Sequence, residues 1–198
     1  TRGFVAYLGE CPFKYDKPPE WQEQKIGELC IWAPCTTRIT VIHTALGYAG
    51  IIGDAYCLTD NTSVESTLID LLKHKNWRSL DSLSGRFAAI ICTPSAVQVC
   101  QDAFGSRTVY YIDNGNSLSS HSALLARLMN FSVDKITKQF VASPEYAARG
   151  VGYLPGVATM YKEIFCLTPN TFLDLKLGRP KRFWPSSDRI NIHKDDFL

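Results

Sequence analysis

The stretch "LSGRFAAIICTPSAVQVCQDAFGSRTVYYIDNGNSLSSHSALLARL", residues 83–128, decides how this chain is read. "RFAAIICT" and "AVQVCQDA" are apolar runs joined by "PSA", a short turn containing Pro94, and they predict two strands. "TVYYID" and "SLSSHS" predict two more, joined by "NGN", because Asn and Gly accept the positive φ that a tight hairpin demands. "HSALLARLM" follows as a short helix. The order suits a layered, enzyme-like core, yet the stretch carries no obvious nucleophile, metal cluster or phosphate loop.

Upstream, "GFVAYLG" reads as a short strand closed by glycine, and "CPFKYDKPPEWQEQK" as a Pro-rich, polar connection. "GELCIWAP" and "TRITVIHTALG" are strands broken by the turn at Pro34, and "YAGIIGDAYCL" is glycine-punctuated and ends a strand. Val64 to Lys75 is a helix that places Leu68, Ile69, Leu71 and Leu72 on one face, with Asn61, Thr62 and Ser63 ahead of it as caps. Downstream, "SPEYAARGV" is helical, and "YLPGVATMYKEIFCLTPNTFLDLKLGRPKRFW" holds three short strands between its Pro and Gly residues. Many antiparallel strands with helices at intervals predict an α+β fold, or a sandwich of sheets with helices outside.

The chain has 198 residues, enough to bury a core, and 45% apolar with 20% charged residues is ordinary globular composition. Lys and Arg total 21 against 19 Asp and Glu, and the basic residues are scattered, so nothing asks for nucleic acid. The apolar runs "FVAYL" and "FAAIIC" fall far short of the roughly 20 residues of a membrane span. The N-terminus lacks the basic start and apolar stretch of a secretory signal, and it lacks an initiator Met, which leaves a cleaved leader open. Seven cysteines (Cys11, Cys30, Cys35, Cys57, Cys92, Cys100 and Cys166) are an odd number without a C-x-x-C pair. They fit buried free thiols in a reducing, cytoplasmic setting better than a disulfide framework or a zinc site.

Other residues that could carry chemistry read as structural. His43, His74 and His121 fall in three separate elements without metal-ligand spacing. Asp102 and Arg107 form a salt bridge or shape the turn "QDAFGSR". The basic "KLGRPKRFW" lies on a hairpin and its exit, as a solvated surface or a contact with a following domain, and "RGVGYLPG" lacks the Lys-Ser/Thr end of a phosphate loop.

Taken in order, these pieces resemble the N-terminal, glutaminase-type domain of the asparagine synthetase family, the class II glutamine amidotransferase fold. "LSGRFAAII" at 83–91 is similar to that family's "L-x-G-x-F-A" line, and "QDAFGSRTVYY" at 101–111 to "R-D-x-x-G-x-x-P-L-Y-Y". "LSSHSALLARL" resembles "F-A-S-E-x-K-A-L", with His121 at the acidic position. "PGVATMYKEIFCLTPNTF" at 155–172 resembles "P-G-x-x-x-(F/Y)-x-x-I-x-x-L-x-P", and "FW" at 183–184 the closing "Y-W". The fold that the resemblance implies is a four-layer α/β/β/α sandwich of mostly antiparallel sheets, of the N-terminal-nucleophile (Ntn) hydrolase type. It spans residues 1–184, with 185–198 as a linker or the start of a missing synthetase domain.

The resemblance also implies where glutamine hydrolysis would occur. In the family the nucleophile is an N-terminal cysteine whose own α-amino group serves as base. Aligning Gly3-Phe4 puts Arg2 at that position. The oxyanion line "N-G-E-(I/L)-Y-N" is matched by "IGDAYC", which keeps Gly53 and Tyr56 but has Ile52 for the Asn. The acidic residue of "S-D-x-E", which pairs with the substrate amino group, is replaced by Val64 in "SVES". The implied function is a catalytically degenerate domain without glutaminase activity. It supports an ATP-dependent, amide-forming enzyme like the β-lactam synthetases and lasso-peptide cyclases. The partner is a C-terminal synthetase domain in cis or trans; ATP and Mg belong there, since no "S-G-G-x-D-S" pyrophosphate loop occurs in these 198 residues.

Two alternatives stay open. One is an amidohydrolase that uses Thr1, since N-terminal threonine is a nucleophile elsewhere in this fold class. The other is a stand-alone binding module whose pocket Ile52 and Val64 make more apolar. A homodimer is left open.

Overall fold

β6 (Leu83–Thr93) is the strand on which the architecture is assembled, because the residues of its C-terminal part are apolar on both faces. Such a strand must be covered on each side. The structure, a computed structural model, describes residues 3–113, 116–150 and 152–185. It is α+β, with two antiparallel six-stranded sheets and few helices.

β6 pairs on one side with β7 (Ala96–Gln101) and on the other with β5 (Gly47–Cys57), which in turn pairs with β4 (Ile39–Thr44). β11 (Thr171–Asp174) and β12 (Arg179–Arg182) extend the sheet beyond β7, giving the order β12-β11-β7-β6-β5-β4. The second sheet runs β10-β8-β9-β1-β3-β2. Its members are β1 (Val5–Leu8), β2 (Trp21–Ile26), β3 (Leu29–Pro34), β8 (Tyr110–Ile112), β9 (Ser117–Ser119) and β10 (Ile164–Cys166).

Alternation along the strands sends successive side chains to opposite faces. Ala6, Leu29 and Ile31 from the second sheet, with Phe4 just ahead of β1, share one buried cluster with Ile52, Ala88, Ile90 and Val99 from the first. The alternate residues Ile51, Ala89 and Ile91 pack instead with Leu68, Leu71 and Leu72 of α1 (Val64–His74), and with Trp77 and Leu80 of a short 3-10 helix over Trp77–Ser82. Val5, Tyr7 and Trp32 face outward from the second sheet to Trp21 and to Leu128 of α2 (Ser122–Met129). Two further short helices follow, α3 (Lys135–Val141) and α4 (Pro144–Ala148).

Three expectations are corrected. The connection "CPFKYDKPPEWQEQK" contains the start of β2, which pairs in full with β3 from Trp21↔Pro34 to Ile26↔Leu29. Only its end residues, Trp21 and Ile26, are buried, so a polar middle hides the strand from a composition reading. Ile69 is 47% exposed, off the buried face of α1. All seven thiols are free, but Cys11 and Cys35 are exposed, because they lie in loops outside the strands. The hairpin expected at "NGN" is present as the β8–β9 pair, although Asn114 and Gly115 lie outside the described residues. No helix of the described residues is long and apolar enough to cross a membrane.

Candidate functional site

The beginning of the described chain is tied to the segment that follows β9. Phe4 N–H donates to Ser120 Oγ at 2.9 Å, and Ser120 N–H donates back to the Phe4 carbonyl at 3.0 Å. Ser119 Oγ also donates to that carbonyl at 2.9 Å. Ser120 Oγ and His121 Nδ1 are 2.8 Å apart. Gly3 lies directly against this pair: a Cβ there would stand 3.2 Å from His121 Nδ1 and 3.3 Å from Ser120 Oγ.

A second element arrives from the other sheet. In the β5–β6 register Gly53 sits opposite Phe87, and Asp54 opposite Arg86. Gly53 has φ +111, and a Cβ on it would come within 2.4 Å of the Arg86 carbonyl and 2.6 Å of Arg107 Nε. Only glycine allows both this backbone and this approach. Arg107 is 5% exposed, with its Cζ 5.9 Å from the centre of the Phe4 ring. The turn before it is held by Asp102, whose carboxylate accepts N–H groups from Phe104 at 3.2 Å, Ser106 at 2.9 Å and Arg107 at 2.7 Å.

These elements enclose a cavity of about 260 Å³ walled by Arg86, Arg107, Tyr110, Ser120, His121 and Ser122. Burial, and then the nearby Arg86 and Arg107 guanidiniums, push the His121 imidazole below its ordinary pKa. A second cavity, of about 400 Å³, shares Tyr110 and Ser122 as walls and continues along Val141, Tyr146, Leu154 and Met160.

Of the positions matched to the family's glutamine-hydrolysis residues, Gly53 alone meets this region, where it joins His121 and Arg107. Thr1 and Arg2 lie outside the described residues. The Ile52 side chain is fully buried in the cluster shared by the two sheets, and Val64, the first residue of α1, packs against the cluster beneath that helix. Neither lines the cavity. The Gly53 N–H donates to the Arg38 carbonyl at 2.8 Å, which commits it to the backbone between β4 and β5.

The remaining candidates are dispersed. His43 stacks on Tyr48 with ring centres 4.2 Å apart, and His74 Nδ1 lies 2.8 Å from Asp70 Oδ1. Among the described residues no group of three His, Cys, Asp or Glu side chains is placed to hold a metal ion. Burial pushes the Cys30, Cys100 and Cys166 thiols up, away from the thiolate that a nucleophile requires.

The sequence does not single out Arg86 or Tyr110, and it offers Arg107 only a salt bridge with Asp102 or a part in shaping the turn. The one available signal is Arg86 itself, a cation beside glycine in an otherwise apolar run, "SGRFAAII". Neither a family model nor a curated protein matches this sequence.

Proposed function

We propose that this chain is a glutaminase-type domain, similar to that of the asparagine synthetase family, in which glutamine hydrolysis has been lost. On this reading the two sheets and flanking helices form the four-layer α/β/β/α sandwich of Ntn hydrolases. The domain runs over residues 1–184 and supports an ATP-dependent, amide-forming synthetase domain in cis or trans. ATP and Mg bind in that partner, and the seven free thiols fit a cytoplasmic setting.

The observation that carries this reading is the state of the oxyanion position. A tetrahedral intermediate needs N–H donors aimed at its oxygen. At the matched positions Ile52 contributes no side-chain donor and is buried in the core, while the Gly53 N–H is taken by the Arg38 carbonyl. The Arg107 guanidinium packs directly against Gly53.

The test is an assay of the full-length native protein for glutamate release from glutamine, alongside pyrophosphate release from ATP with candidate carboxylic acids. The expected result is no glutamate above the uncatalysed background, with ATP consumption independent of glutamine. Glutamate released at enzymatic rates would overturn the proposal.

A further inference from the structure

We propose that the two adjoining cavities form one site for a carboxylate that carries an apolar tail. This inference requires neither a synthetase partner nor the loss of glutaminase activity.

The head of the site is cationic. Arg86 and Arg107 reach it from different strands and loops, and among the described residues that line it none is acidic. Guanidinium forks match the planar, two-oxygen geometry of a carboxylate. Ser122 and Ala123, the first residues of α2, complete the wall, so the positive end of that helix adds to the same field. Arg107 is fixed before any ligand arrives. Its backbone is clamped by Asp102, its side chain is buried, and its Nε reaches the Arg86 carbonyl at 3.5 Å. Such preorganisation lowers the ordering cost of binding.

The tail of the site is uncharged. The larger cavity is walled by Val141, Tyr146, Leu154, Met160 and Cys166 beyond the shared Tyr110, and among the described residues no Asp, Glu, Lys, Arg or His lines it. Its volume of about 400 Å³ lies in the range of small-molecule sites. An α-amino acid fits poorly, because its ammonium group finds no carboxylate among the described residues of either wall. A simple alkyl or aryl carboxylate satisfies both halves.

The experiment is calorimetric titration of the full chain with octanoate, butyrate, octylamine, octyl phosphate and glutamine. Octanoate is expected to bind saturably, more tightly than butyrate, with no binding of octylamine or glutamine. Arg86 is exposed, so Arg86→Gln should fold normally and weaken octanoate by at least about tenfold, the scale of one charge-assisted hydrogen bond. Ala158→Trp, at an exposed position that lines the larger cavity, should abolish the preference for octanoate over butyrate. Octanoate binding that is absent or unchanged by Arg86→Gln would overturn the proposal, as would tighter binding of octyl phosphate or equal binding of octylamine.

Discussion

Asp102 is 3% exposed, and its two carboxylate oxygens accept three backbone N–H groups across the turn that delivers Arg107. Phe104 is 91% exposed, so its amide can turn to water if the carboxylate is removed. The amide of buried Arg107 has no such recourse. Asp102→Ala should therefore cost about 1–3 kcal/mol, the penalty of an unsatisfied buried donor. Urea denaturation should record this as a lower midpoint with an unchanged slope. An unchanged midpoint would mean that the turn is held without the carboxylate. Of the two roles read from "QDAFGSR", shaping the turn is the one that these bonds supply. What the sequence does not convey is that the guanidinium then reaches Gly53, more than fifty residues earlier, because that contact depends on the register between β5 and β6.

The same distinction between local and long-range information holds for whole elements. α1 was legible because its signals are local: Ser63 and Ser66 form a reciprocal capping box, and Lys75 ends the helix at φ 53. Its face was legible only in part. At 3.6 residues per turn Leu68, Leu71 and Leu72 cluster, whereas Ile69 stands about 100° around from Leu68. Leu71 is fully buried and Ile69 is 47% exposed. Leu71→Ala should therefore cost about 2–5 kcal/mol, and Ile69→Ala no more than about 0.5 kcal/mol. Thermal unfolding of the two variants separates these values readily, and similar losses would show that something covers Ile69 in solution. β2 was illegible for the opposite reason. Its middle residues, Gln22 to Lys25, alternate between half-buried and exposed, so only its pairing with β3 and the burial of Trp21 and Ile26 define it. A strand at the edge of a sheet with one wet face leaves little apolar pattern to read.

For the molecule as a whole, the positions of strands in the two sheets set an order of local stability. β6 is hydrogen-bonded on both sides, and every residue from Phe87 to Thr93 is buried. β1 is likewise flanked by β3 and β9, with Val5 and Ala6 fully buried. β12 occupies one edge, and all four of its residues, Arg179, Pro180, Lys181 and Arg182, are exposed. Proline and cations on such an edge oppose pairing with another strand. Opening of β12 uncovers little apolar surface, whereas freeing β6 exposes the clusters on both of its faces. Amide hydrogen exchange should therefore be slowest in β1 and in residues 87–93, at rates set by global unfolding, and faster by orders of magnitude at Lys181 and Arg182. Arg86 borders the slowest segment and Phe4 leads into β1, so the cationic end of the cavity is anchored to the most persistent parts of both sheets. Equal protection at β12 would reverse this order and show that the basic edge is covered in solution, as a neighbouring domain packed against "KLGRPKRFW" would cover it.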